Sequence, residues 1–272
     1  MKTVGPVFVG ILLAATAAFT LQDRAVANLE VGVMQDTVQF VTADEFSSPA
    51  PELDIWTRPD GPVRVALQAG HWKAADAPDE QAGLRTNGTR GGGKAEWEVN
   101  YEIATITAEM LRDAGYEVDI LPTTIPPRYW ADLFVAIHAD GNPNTSISGF
   151  RAAAPRRDQT GRASEFVRLL EDHYGHATGL RHYPSITRRM TGYYAFNSRR
   201  YEHALDPMTI GVILETGFLT SPTDRRVIVQ AQERAARGIA DAVEEFLSPL
   251  RTEIERSAAL ASLSATGAGP AE

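Results

Sequence analysis

From Arg64 to Leu247 short apolar runs alternate with longer amphipathic ones, and this alternation limits the fold more than any other feature of the chain. RVALQAG (64–70) reads as a strand, AEWEVNYEIATITAEMLRDAG (95–115) as an amphipathic helix closed by Gly115, and YEVDILP (116–122) as a second strand. DLFVAIHA (132–139) and a short GFRAAA strand from Gly149 follow, then the helix GRASEFVRLLEDHYGHAT (161–178) and the strand TIGVILET (209–216). The last long helix is expected to begin after the Ser-Pro of TSPTD, capped by Ser221 or Thr223, and to run in one piece through RRVIVQAQERAARGIADAVEEFL. Such an order predicts an α/β fold: a single domain with a mostly parallel mixed sheet, helices on both faces and the active site at the carboxyl ends of the strands. Between the 161–178 helix and the last strand lies GLRHYPSITRRMTGYYAFNSRRYEHAL, whose tyrosines and arginines read as surface or cleft lining rather than core.

The ends of the chain differ in character from this middle. Lys2 precedes an apolar stretch from Val4 to Leu21, and Ala25-Val26-Ala27 has the small-x-small pattern of a signal peptidase site. Residues 1–27 therefore read as a signal peptide, with an uncleaved membrane anchor as the alternative, and the protein is expected outside the cytoplasm, in the cell envelope or beyond. Residues 28–60 read as a linker or pro-like segment, 61–250 as the folded domain, and 251–272 as a low-complexity tail, part helical and then disordered. With 272 residues and 43% hydrophobic content, one large domain is well within reach. A net charge of -9 argues against nucleic acid as a partner, because polyanions need clustered Lys and Arg. Arg181, Arg188, Arg189, Arg199 and Arg200 form a local concentration that reads as a solvated face. Cysteine is absent, so a metal site has to be built from His, Asp and Glu.

Three such residues fall at strand ends: His71 just past the first strand, His138 at the end of DLFVAIHA, and Glu215 at the end of TIGVILET. Strand ends of a parallel sheet gather at one edge, so these side chains converge. A fourth candidate opens the first helix, where Glu96 and Glu98 follow a glycine run. Residues two apart point to different helix faces, so at most one of the pair faces the cleft, and helix-start chemistry alone would explain either. Two histidines and a carboxylate are a ligand set of catalytic zinc, and a second carboxylate can then serve as base. His71, Glu96 and His138 would be the ligands and Glu215 the base.

The order Gly70-His71, Glu96 four residues before Asn100, Ala136-Ile137-His138-Ala139-Asp140 and Glu215-Thr216-Gly217-Phe218 resembles the zinc-dependent N-acetylmuramoyl-L-alanine amidases, the cell-wall hydrolases of the amidase 3 family. The likeness covers about 63–247. It implies hydrolysis, with zinc, of the amide between the lactyl group of N-acetylmuramic acid and the L-alanine of the peptidoglycan stem peptide. The family's Glu-to-Asn spacing picks Glu96 over Glu98 as ligand, alongside His71 and His138, and leaves Glu215 as base.

The chain departs from the family pattern at Trp72-Lys73, where Gly and small polar residues are usual, and in the longer segment AADAPDEQAGLRTNGTRGGG. LPTTIPPRYWAD is shorter than its counterpart, and Asp140 stands where Asn is usual. Of the other histidines, His173, His176 and His203 read as surface residues, while His182 is close enough in sequence to irregular structure to reach the cleft. Tyr193, Tyr194 and Arg189 would line a groove for glycan or peptide, or else pack. Because an acidic protein adheres poorly to an anionic wall, affinity for peptidoglycan is expected to come from the groove or from a regulatory partner protein. The competing classes are another exported zinc peptidase, such as a carboxypeptidase, and a non-catalytic wall-binding protein.

Overall fold

Strand β1 (Arg64–Ala69) is buried on both of its alternating faces from Val65 onward, as a strand covered on both sides must be. The computed structural model describes residues 56–267, and from Arg58 onward they form one unit. The segments expected at 1–27, most of that at 28–60 and the last five residues of the 251–272 tail lie outside the described residues. After β1 come a short hairpin of β2 (Arg90–Gly91) and β3 (Lys94–Ala95), helix α1 (Glu96–Asp113) and strand β4 (Glu117–Leu121). Strands β5 (Leu133–Asp140) and β6 (Arg151–Ala153), helices α2 (Ala163–Thr178) and α3 (Arg188–Thr191), strand β7 (Ile210–Phe218) and helices α4 (Pro222–Ile228) and α5 (Gln232–Gly267) complete the order.

The main sheet runs β4-β1-β5-β7-β6, parallel except where β6 pairs antiparallel with β7. The chain moves outward from β1 to β4 and then returns to place β5 on the other side of β1. The crevice at that reversal, beyond the carboxyl ends of β1 and β5, is where open α/β sheets bind ligands. The expected single-domain, mostly parallel mixed sheet is what the structure contains.

The period-two alternation of the strands separates two apolar layers. Val65, Leu67, Val135, Ile137, Val212 and Leu214 face a large core closed by α1, α2, α4 and α5. Ala66, Phe134, Ala136 and Ile213 face a smaller layer with Ile125, Met190, Tyr194 and Leu205. This second face is covered by the single turn α3, a 3-10 turn at Tyr194–Phe196 and irregular chain. The 183–205 segment is therefore partly core, against its reading as surface or cleft lining rather than core: Met190, Tyr194 and Ala195 are buried, although Tyr193 and Tyr194 also line the cleft.

The last helix is two. Ser221 caps α4 by accepting the Asp224 N–H at 3.3 Å, as its position before Pro222 suggested, but the helix stops at Val229 and α5 starts afresh at Gln232. Pro249 does not end α5, which continues to Gly267. Pro249 and Glu245 are both exposed, so water can satisfy the carbonyl that the missing proline N–H leaves free.

Candidate metal centre

The ladder between β1 and β5 extends one residue past β1, with the Gly70 N–H donating to the Ile137 carbonyl at 2.9 Å. The chain then turns sharply, and His71 and Lys73 both take left-handed backbone angles, φ 64° and 56°. Such angles cost a non-glycine residue roughly 1–2 kcal/mol and persist where the surroundings fix them, often at functional sites. Gly70 is needed for space: a Cβ there would lie 2.4 Å from the His138 ring. Gly70→Ala is expected to push that ring off Glu96, lowering stability by about 1–3 kcal/mol and metal affinity at least tenfold. Thermal melts and a metal titration check this, and wild-type values in both would sink it.

Glu96 is the first residue of α1 and only 5% exposed. Its Oε2 accepts the Thr89 N–H at 2.9 Å, while Oε1 accepts the Ala139 N–H at 3.2 Å and lies 3.1 Å from His138 Nδ1 and 3.4 Å from His71 Nε2. Asn100, one helical turn on, donates from Nδ2 to the Gly70 carbonyl at 3.1 Å and to Glu96 Oε1 at 3.4 Å, joining α1 to the end of β1. Burial alone would raise the Glu96 carboxyl. The hydrogen bond and charge of His138, the charge of His71 and the Thr89 N–H outweigh it and hold the group below its ordinary value. Glu98 has the capping role instead, accepting the Ala95 N–H at 2.6 Å.

His71, Glu96 and His138 each offer a ligand atom, all within 4.8 Å of one another. Two imidazoles and one carboxylate packed this closely, with His71 Nε2 and His138 Nδ1 both turned to Glu96 Oε1, fit a divalent metal ion. For His71, burial and then His138 lower the pKa. For His138, burial works against the charge, but the bond to Glu96 and the negative Glu215 raise it.

Glu215 pairs in register with His138 across β5 and β7 and with Arg151 across β6 and β7, and it lines the same cleft. Withdrawal from water, then the negative charge of Asp140, pushes its carboxyl up to about 8. Arg151, which the sequence reading passed over, is buried and donates from Nη2 to Asp140 Oδ2 at 2.5 Å and from Nη1 to the Ser185 carbonyl. Its signal was an arginine inside an otherwise apolar strand, GFRAAA. Gln68, His138, Arg151 and Glu215 all project from the face that carries the smaller core, so the 188–196 segment closes over them.

Two grooves meet at the centre. One, about 890 Å³, holds His138 and Glu215 and is bordered by exposed Arg188 and Arg189 and by Tyr193. The other, about 500 Å³, runs from His71 and Glu96 past Trp72, Lys73, Arg85 and the 42% exposed Trp97. Trp72 also stacks on Tyr101 of α1 at 4.5 Å between ring centres, which accounts for a large residue after His71. The long segment after Lys73 is folded: Gln81 is buried, donating to the His203 carbonyl at 3.1 Å, and Glu80 accepts the Glu202 and His203 N–H groups at 3.0 Å. His173 and His182 pair with Glu245 and Glu171, His203 bonds the Ile125 carbonyl and His176 is exposed, so none joins the centre.

Three solved structures similar to this chain are amidases. The N-acetylmuramoyl-L-alanine amidase AmiC2 of Nostoc punctiforme is 16% identical, with a TM-score of 0.51 over 70% of this chain and 99% of that one. Ami1 from Mycobacterium smegmatis is 18% identical, with a TM-score of 0.51 over 69% and 97%. The apo form of Ami1 from Mycobacterium abscessus is 20% identical, with a TM-score of 0.50 over 68% and 98%. At these identities the likeness shows a shared fold. No curated protein matches the chain. A family model for N-acetylmuramoyl-L-alanine amidases matches residues 65–245, the span that carries all four of His71, Glu96, His138 and Glu215, and the chain belongs to that family of peptidoglycan amidases.

Proposed function

We propose that this protein uses zinc to hydrolyse the amide between the lactyl group of N-acetylmuramic acid and the L-alanine of the stem peptide. The observation that carries the reading is the gathering of His71, Glu96 and His138 within 4.8 Å, with a fourth carboxyl, Glu215, in the same cleft of an amidase-family chain. His71, Glu96 and His138 would hold the metal. A zinc ion there supplies Lewis acidity, polarising the scissile carbonyl and acidifying an attacking water, and its charge favours the ionised form of Glu215. Glu215 takes the proton of the attacking water and delivers it to the leaving L-alanine nitrogen, so that amine and carboxylic acid separate. Asp140 and Arg151 neutralise one another beside Glu215, fixing the field in which it gains and loses that proton. Two grooves meeting at the centre suit a branched polymer whose saccharide and peptide arms leave the reacting amide in different directions.

In this reading residues 61–250 are the catalytic domain, 1–27 direct export to the cell envelope, 28–60 link the two and 251–272 form a tail. The deciding experiment is digestion of purified peptidoglycan by the full chain, with the products identified by mass. Peptides with a free L-alanine amino terminus and intact glycan are expected, ceasing with chelator and returning with zinc. Stem peptides shortened from the carboxyl end would identify a carboxypeptidase, and no product with zinc bound would identify a wall-binding protein.

A further inference from the structure

We propose that Tyr193, backed by Gln68, is a positioning residue that fixes the tautomer and ring orientation of His138, so that Nδ1 is the metal-binding atom. The inference rests on the metal-centre reading above. The Tyr193 hydroxyl lies 3.0 Å from His138 Nε2 and 2.8 Å from Gln68 Oε1. Its direction of donation follows from the far end of the chain of hydrogen bonds.

Gln68 is fully buried on β1, and its amide nitrogen donates to the Thr123 carbonyl at 2.7 Å and the Pro122 carbonyl at 3.3 Å. Carbonyl oxygens only accept, so the nitrogen must stand at that end and Oε1 must face Tyr193. Oε1 also only accepts, and a phenol has a single proton. That proton therefore goes to Gln68, and the Tyr193 oxygen is left to accept from His138. In the neutral ring Nε2 then carries the hydrogen and Nδ1 carries a lone pair.

Nδ1 is the ring nitrogen that stands 3.1 Å from Glu96 Oε1. In the metal-free protein a second proton on Nδ1 can bond this oxygen, and a metal ion that takes the place of that proton would bind the Nδ1 lone pair. Metal-binding histidines usually donate their other N–H to a neighbour, and losing that neighbour costs about 10–100-fold in metal affinity. The scaffold for the relay is firm: Tyr193 N–H donates to the Met190 carbonyl at 3.2 Å, Met190 is buried, and the Tyr193 ring meets His138 edge-on at 5.3 Å. The relay spans residues 68, 138 and 193, from two strands and the irregular segment.

Long-range proton–nitrogen NMR of the zinc-loaded protein tests the assignment directly. The expected result is His138 with a proton on Nε2 and the metal-shifted signal on Nδ1. Zinc affinity by competition with a chromogenic chelator gives the second readout: Tyr193→Phe should weaken binding by about 10-fold or more. Adding Gln68→Met to Tyr193→Phe should weaken it little further, because the two act in series. A wild-type spectrum with the metal signal on Nε2, or unchanged affinity in Tyr193→Phe, overturns the relay. Neither readout depends on which bond is cut, so an unexpected product overturns the reaction assignment and leaves the relay standing. A protein that takes up no zinc overturns the metal centre and the relay together.

Discussion

Glu215→Gln protein is expected to retain zinc as the wild type does and to release peptide from peptidoglycan roughly 10²–10⁴ times more slowly, the usual loss when a general base is removed. Position separates the two roles. Glu215 lies beside His138 in register and lines the cleft, but the three-residue group that brings its ligand atoms within 4.8 Å is His71, Glu96 and His138. Glutamine keeps the shape of the side chain and removes its capacity to take a proton. His71→Ala and His138→Ala should behave in the opposite way, losing the metal itself, because two ligands on a three-ligand site leave the ion largely to solvent. Metal content by atomic emission after gel filtration, together with mass-detected peptide release, separates the two phenotypes. Glu215→Gln protein that has lost its zinc, or that cleaves at the wild-type rate, would overturn the division of roles.

Much of the sheet was legible because its strands are buried on both sides. Runs such as VALQA and LFVAIHA have no polar face to confuse the reading, and helix α1 ends just before Gly115, whose φ of 92° closes it. The meeting of His71 with His138 followed from one rule about strand ends, with no need for a short motif. Glu96 over Glu98 came from the family spacing, and the structure gives the two different tasks: one carboxylate turns inward against the histidines, the other caps the helix. What sequence patterns could not carry was the cover of the second sheet face. Contacts between Tyr193 and Gln68, 125 residues apart, or between Glu80 and Glu202, 122 apart, arise from irregular chain with no periodicity to read. The break between α4 and α5 was hidden because both helices turn apolar residues toward the same core, Val227 and Ile228 from one, Ala235 and Ile239 from the other.

Asp224 is the second residue whose loss should be severe, this time through the fold. It is fully buried at the start of α4, and its carboxylate accepts the Phe218 N–H at 2.7 Å and the Gly149 N–H at 2.9 Å from Oδ2, and the Ser148 hydroxyl at Oδ1. Those donors come from the end of β7, three residues beyond Glu215, and from the loop between β5 and β6. A single side chain thereby fixes the strand that carries Glu215 against the loop that follows His138 and Asp140. The sequence held a trace of this in Ser221-x-x-Asp224, a helix-start pattern, which the structure uses for capping and for the loop at once. Removing a buried carboxylate leaves all three donors unpaired, each costing about 1–3 kcal/mol and partly overlapping, so Asp224→Ala should lose roughly 3–5 kcal/mol. Asp224→Asn keeps the volume but turns one oxygen into an NH₂ group. With its amide oxygen on the Phe218 and Gly149 N–H groups, its NH₂ faces the Ser148 hydroxyl, which can turn to accept, so only the strength of a charged acceptor is lost and a cost of about 1 kcal/mol is expected. Ser148→Ala removes one partner only and should cost about 1 kcal/mol. Urea unfolding of the metal-free proteins measures the fold without the contribution of bound zinc. Asp224→Ala within about 1 kcal/mol of wild type would show that acceptor chemistry at Asp224 does not hold the loop, whereas a loss in Asp224→Ala well beyond those of Asp224→Asn and Ser148→Ala would show that it does.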